Sequence, residues 1–183
     1  MDAQRMPQMT PDRRETFERL LAEHAAGIAR VARVYARSAA ESADLGQDIA
    51  MALWLALPQF RGECTERNFV FRIAHNRGIN LAERLRVRAV MSRESDAASD
   101  VADPSPSAED LLDAARRSDA LWQALRSLPV GARAVLSLEL EGLSHADIAL
   151  VLGSTPNSVA VRLNRARADL RKQLTAWEAA DGT

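Results

Sequence analysis

The sequence predicts an all-α fold of two small helical domains joined by a flexible acidic linker, and three observations carry that expectation. Apolar residues make up 47% of the 183 while aromatics make up only 4%, so a core must be built from Leu, Val, Ile and Ala, which suits helix packed on helix. Long stretches repeat their apolar residues every three or four positions. Between two such regions lies SRESDAASDVADPSPS, Ser92 to Ser107, with small and acidic residues, Pro104 and Pro106 and almost nothing to bury. That segment divides the chain into domains at 10–91 and 108–178 with a linker at 92–107.

In the first domain Phe17, Leu20, Leu21, His24, Ile28, Val31 and Tyr35 recur at helical spacing, with Gly27 expected to break them into two helices. Leu45, Ile49, Ala52, Leu53 and Ala56 form the next apolar stripe, stopped by Pro58. A further helix is expected from Thr65 as N-cap through Phe69, Val70, Ile73, Ala74, Leu81 and Leu85 to about Met91. The second domain opens on a capping box at Ser107 and Asp110 and carries Leu111, Leu112, Leu121, Trp122, Leu125 and Leu128. Pro129 begins a helix through Ala132, Val135, Leu136 and Leu140, which Gly142 ends.

Ser144 and Asp147 then make a second capping box for the short helix HADIALVL, Gly153 ends it, and Thr155 caps a new helix with Pro156 at its first position. Two helices joined by a tight glycine turn are a helix-turn-helix. In the second of them Val159, Leu163, Ala166 and Leu170 are spaced to face inward. At 100° per residue that turns Asn157, Ser158, Val161, Asn164 and Arg165 outward, towards base edges, with Arg162, Arg167, Arg171 and Lys172 in reach of phosphates. The bland alternative is an amphipathic hairpin with a solvated basic face.

Net charge is only −1, yet its distribution is uneven. Arg61 to Arg93 carries eight Arg against three acids, Glu94 to Asp113 carries seven acids and no base, and Arg162 to Lys172 carries five bases against one acid. Two basic blocks flank an acidic segment. Lys172 is the only lysine, and the planar fork of Arg suits phosphate and base edges. No apolar run approaches the roughly 20 residues of a membrane span, and MDAQRMPQMTPDRRETF lacks the apolar stretch of an export signal, so a cytoplasmic protein is expected. The single Cys64 excludes an internal disulfide framework and reads as a small inert side chain. His24, His75 and His145 stand apart with no cysteine cluster, and no phosphate-cradling glycine loop or nucleophile–base pair is visible. A non-enzymatic chain with no cofactor is expected.

LRSLPVGARAVLSLELEGLSHADIALVLGSTPNSVAVRLNRARADLRKQL, Leu125 to Leu174, resembles region 4 of the extracytoplasmic-function (ECF) sigma factors of bacterial RNA polymerase. The carriers are Leu128-Pro129, Arg133 four residues after the Pro, the "GLS..(E/D)IA..LG" helix and "SV..RL.RAR..L". The first domain resembles region 2. Asp44 to Asp48 is similar to "DL.QE", Leu57 to Gly62 to "L..F.G", and Phe69 to Asn76 to "WL.RIA.N". Phe69 stands where the family usually has Trp, Asp48 where it has Glu, and Ala160 where a recognition-helix Lys or Arg is common. The short length resembles the ECF group, in which a linker replaces the intervening region of larger sigma factors.

The resemblance implies a factor that binds core polymerase through the β′ coiled-coil and the β flap and directs promoter-specific initiation under an anti-sigma factor. It assigns core binding to Asp44, Leu45, Gln47, Asp48 and Met51. The minus-ten element falls to Asn76, Arg77, Asn80, Arg84 and Arg88, near the loop Gln59 to Arg67. The minus-35 element falls to Asn157, Ser158, Val161, Arg162, Asn164 and Arg165. Two other readings compete on the residues alone: a polymerase-independent helix-turn-helix regulator, and a helical adaptor that binds only protein.

Overall fold

A computed structural model describes residues 11–91 and 109–181. The expected linker and the capping box at Ser107 lie outside the described residues. The elements are α1 (Pro11–Tyr35), α2 (Ala39–Ala56), a 3-10 turn (Leu57–Gln59), α3 (Glu66–Met91), α4 (Glu109–Ser127), α5 (Val130–Leu140), α6 (His145–Leu152) and α7 (Pro156–Asp181). Every described element is helical.

α1, α2 and α3 pack on one another and bury Leu20, Ile28, Val31, Leu45, Ile49, Leu53, Phe69 and Val70, the large side chains of the periodic stripes. Each such burial contributes about 1.5–3 kcal/mol. Ser38 caps α2, its side chain accepting the Glu41 N–H at 3.2 Å, and Thr65 caps α3 through the Asn68 N–H at 3.1 Å. α2 ends at Ala56, just before Pro58 as expected, and the chain tightens there into the 3-10 turn, because a proline near the start of such a turn needs no N–H donor.

Gly27 does not break α1. The helix runs unbroken through it, because the residue is used for close approach and not for a turn: a Cβ there would lie 2.8 Å from both Glu141 Oε2 and Phe71 Cζ. Gly78 in α3 acts similarly, since a Cβ there would run into the Tyr35 ring.

α7 spans the second half and touches α4, α5 and α6, burying Val159, Leu163 and Ala166 against Leu125, Leu138 and Ile148. Gly142 ends α5 at φ 75°, with the Leu143 N–H reaching back to the Leu138 carbonyl at 3.2 Å.

The two halves are themselves in contact, with α6 on α3 and with α4 and α5 on α1. Arg30 grips the buried Glu141 carboxylate at both oxygens, 2.6 and 2.7 Å, and Arg67 donates to the Glu141 carbonyl. Asn68 Nδ2 donates to Asp147 Oδ1 at 2.6 Å. Arg33 pairs with Asp119 at 3.0 Å and lies over the Trp122 ring. Between these contacts His75 is fully buried, with Nδ1 3.0 Å from the Tyr35 hydroxyl and Nε2 3.5 Å from Ser137 Oγ. Ser137 donates to the Arg133 carbonyl at 2.9 Å. One proton order satisfies all three groups: Tyr35 donates to Nδ1, Nε2–H donates to Ser137, and Ser137 donates onward. Burial holds His75 neutral, its pKa pushed down to about 3.

Candidate nucleic-acid interface

The helix-turn-helix is α6 and α7. Ser144 Oγ accepts the Asp147 N–H at 3.1 Å, and its hydroxyl donates to the Asp147 carboxylate. The carboxylate therefore answers the cap through the serine hydroxyl. That bond, then the Asn68 amide, holds Asp147 below its ordinary pKa. Gly153 ends α6 in the left-handed region, φ 61° and ψ 43°, where glycine carries no Cβ penalty. Thr155 Oγ1 accepts the Ser158 N–H at 3.2 Å, and Pro156 starts α7.

With Val159, Leu163 and Ala166 buried, the other faces of α7 are fixed. Asn157, Val161, Arg162, Asn164 and Arg165 are exposed and Ser158 is half-buried. The amides and guanidinium there offer donors, and the Val161 side chain offers an apolar surface; these are the groups base edges and phosphates accept. Arg167, expected within reach of phosphates, pairs its guanidinium with Glu139 of α5 and so also braces the packing of α7 on α5, its side chain 48% exposed.

On α3, Asn76, Asn80, Arg84 and Arg88 are exposed and Arg77 is half-buried. Arg84 Nε donates to the Asn80 carbonyl at 3.3 Å, which lays the guanidinium along the helix. Arg77 Nη1 sits 3.8 Å from Asp48 Oδ1 of α2, linking this stripe to the neighbouring polar face. In the loop before α3, Cys64 is half-buried against the core.

On α2, Asp44, Gln47 and Met51 are exposed and Asp48 is half-buried. Leu45 is a correction: it is 3% exposed and packs in the core, since it belongs to the inward stripe with Ile49 and Ala52. It anchors the helix whose other side carries the face. Sequence reasoning missed Leu55, which is 55% exposed beside Met51 at 60%. The signal was present, because Leu55 falls off the inward stripe four residues after Met51. Met51 and Leu55 thus put two large exposed apolar side chains on the helix that carries Asp44 and Asp48.

Comparison with known proteins decides the family. Residues 20–89 match the sequence model of Sigma-70 region 2 and residues 118–170 match that of Sigma-70, region 4. The chain is 31% identical over 166 residues to the RNA polymerase sigma factor CnrH of Cupriavidus metallidurans, covering 87% of each chain. The chain belongs to the ECF sigma factors of RNA polymerase. This sigma factor is also 29% identical to the RNA polymerase sigma factor NccH of Alcaligenes xylosoxydans xylosoxydans, over 84% of each chain. It is 28% identical to the ECF RNA polymerase sigma factor SigM of Mycobacterium tuberculosis, over 88% of this chain and 78% of that one. Among solved structures it is similar to CnrH in complex with the cytosolic domain of CnrY, with a TM-score of 0.63 and 27% identity over 89% of this chain and 90% of that one. The sigma factor RpoE in complex with the anti-sigma factor NepR, from Bartonella quintana, shares the fold at a TM-score of 0.67 and 22% identity, over 88% and 98%. Directing transcription initiation is thus the function of this ECF sigma factor, and no described helix is long and apolar enough to cross a membrane.

Proposed function

We propose that the ECF sigma factor divides initiation between its two halves, at 10–91 and 108–178, acting in the cytoplasm and catalysing no reaction itself. The α2 face of Asp44, Gln47, Asp48 and Met51, extended by Leu55, docks on the β′ coiled-coil of core polymerase, and the second half docks on the β flap. Charge on Asp44 and Asp48 steers assembly, while Met51 and Leu55 supply apolar area. Asn76, Arg77, Asn80, Arg84 and Arg88 of α3 engage the minus-ten element, where opened strands need cationic backbone contacts and a flipped base needs donors at its edge. Asn157, Ser158, Val161, Asn164 and Arg165 of α7 read the minus-35 element in the major groove, with Arg162 on phosphate. The observation that carries this reading is the pair of exposed donor faces on α3 and α7, one inside each sigma-region match. The complexes of CnrH with CnrY and of RpoE with NepR support control by an anti-sigma factor.

The test is transcription in vitro with core polymerase on genomic fragments. The wild-type chain is expected to direct initiation at a defined promoter set. Met51→Asp is expected to cut initiation at least tenfold by loss of core binding, and Arg165→Ala to cut it on promoters with a minus-35 element while leaving core binding intact. Specific binding to duplex DNA by the chain alone, with no initiation when core is supplied, would sink this reading and leave a polymerase-independent regulator.

A further inference from the structure

Where the two halves meet, a cleft of about 310 Å³ opens between the end of α1, the second half of α3 and the corner joining α4 to α5. Arg37 and Arg86 line it from the first half and Arg126 and Arg133 from the second, over a floor that includes Tyr35, Leu85 and Val130. Among the described residues no acidic side chain lines it. Arg37 Nη2 donates to the Leu85 carbonyl at 3.1 Å and Arg133 Nε to the Leu128 carbonyl at 2.9 Å. Those bonds fix both guanidiniums while leaving most of their N–H groups unused. Arg86 and Arg126 make no hydrogen bond or ion pair among the described residues. Glu41 is nearby, but its carboxylate accepts the Arg37 main-chain N–H at 2.8 Å, not the guanidinium.

The gathering of charge is unfavourable by itself. Burial lowers the Arg133 pKa, the Tyr35 hydroxyl partly opposes that, and the positive charge of Arg126 lowers it further. Like charges gathered at a protein surface repel one another, a repulsion that an anion bound among the four arginines would relieve. Arginine forks match phosphate oxygens two at a time. The apolar floor gives an attached ring a surface to lie on, and the volume is at the lower end of small-molecule sites, roughly 300–1,000 Å³.

We propose that this cleft binds a small phosphorylated molecule of the nucleotide class, phosphates on the arginines and base over the Leu85–Val130 floor. Because each half supplies two of the arginines, the ligand binds the apposed halves better than the separated ones and shifts the sigma factor towards the closed arrangement.

Calorimetric titration of the full chain with adenosine diphosphate and with inorganic pyrophosphate tests this. Adenosine diphosphate is expected to bind at least tenfold tighter than pyrophosphate. Arg86→Ala with Arg126→Ala is expected to weaken it at least tenfold while circular dichroism stays unchanged. Arg14→Ala, whose side chain pairs with Glu18 on α1, is expected to leave it unaltered. Absence of nucleotide binding, affinity unchanged in the double variant, or pyrophosphate binding as tightly as the nucleotide would each overturn the proposal. So would tighter binding, through the same arginines, of duplex DNA or of an acidic peptide copying residues 94–103.

Discussion

His75 illustrates how one side chain ties burial to conditions. It takes a proton at about pH 3 in the fold and at the ordinary 6.5 once unfolded, so between those values the unfolded chain holds more protons. The stability that His75 contributes is therefore complete above pH 6.5 and declines as pH falls towards 3, by up to about 1.4 kcal/mol per unit. His75→Leu is expected to flatten the dependence of the urea midpoint between pH 6.5 and 5; a slope equal to that of wild type contradicts the assignment. Two glycines give opposite expectations from the same kind of geometry. Gly78→Ala forces a Cβ into the Tyr35 ring and is expected to destabilise by about 1–3 kcal/mol. Gly46, inside α2 with nothing within 4 Å of an added Cβ, is expected to stabilise by about 0.5–1 kcal/mol when changed to Ala. Urea denaturation of both variants separates them by sign.

At the scale of an element, the start of α6 is held by Ser144 and Asp147. Ser144→Ala is expected to cost about 1 kcal/mol and to bring the Asp147 pKa back up towards the usual carboxylate range, since the serine is the largest cause of its depression. That depression contributes stability above the ordinary carboxylate pKa and loses it as pH falls through the folded value. A carboxyl-carbon NMR titration of both proteins measures the shift, and an unmoved Asp147 would refute the account. Caps of this kind were legible in the sequence, as were the turn glycines Gly142 and Gly153 and the inward stripe of α7, because each rests on contacts within a few residues. The outward face of α7 followed from that stripe by helical geometry, whereas the α3 residues were assigned by the resemblance to region 2. What was not legible depends on partners distant in sequence. Gly27 reads as a break until Glu141 and Phe71 are seen against it, and Arg167 reads as a free cation until Glu139 is found beside it. Leu45 shares a short motif with surface residues, which hid its place in the core.

For the molecule as a whole, the decisive contact is Arg30 with Glu141, because it joins the halves through a carboxylate whose side chain is only 5% exposed. Arg30→Ala leaves that carboxylate buried without its main partner, and the cheapest relief is for the halves to part. The radius of gyration from X-ray scattering is expected to rise while helix content by circular dichroism is kept. An unchanged radius would mean that the remaining contacts suffice to hold the halves together. The same contact bears on how the chain comes to be folded. Arg30 and Glu141 are 111 residues apart, so on a ribosome adding about 5–20 residues per second the α1–α3 bundle exists for seconds before its counterpart has emerged. During that interval the hollow at Gly27 and one edge of His75 have no cover. Closure of the halves then follows the folding of the α1–α3 bundle, which chaperones or early partners can meet with its mating surface still open.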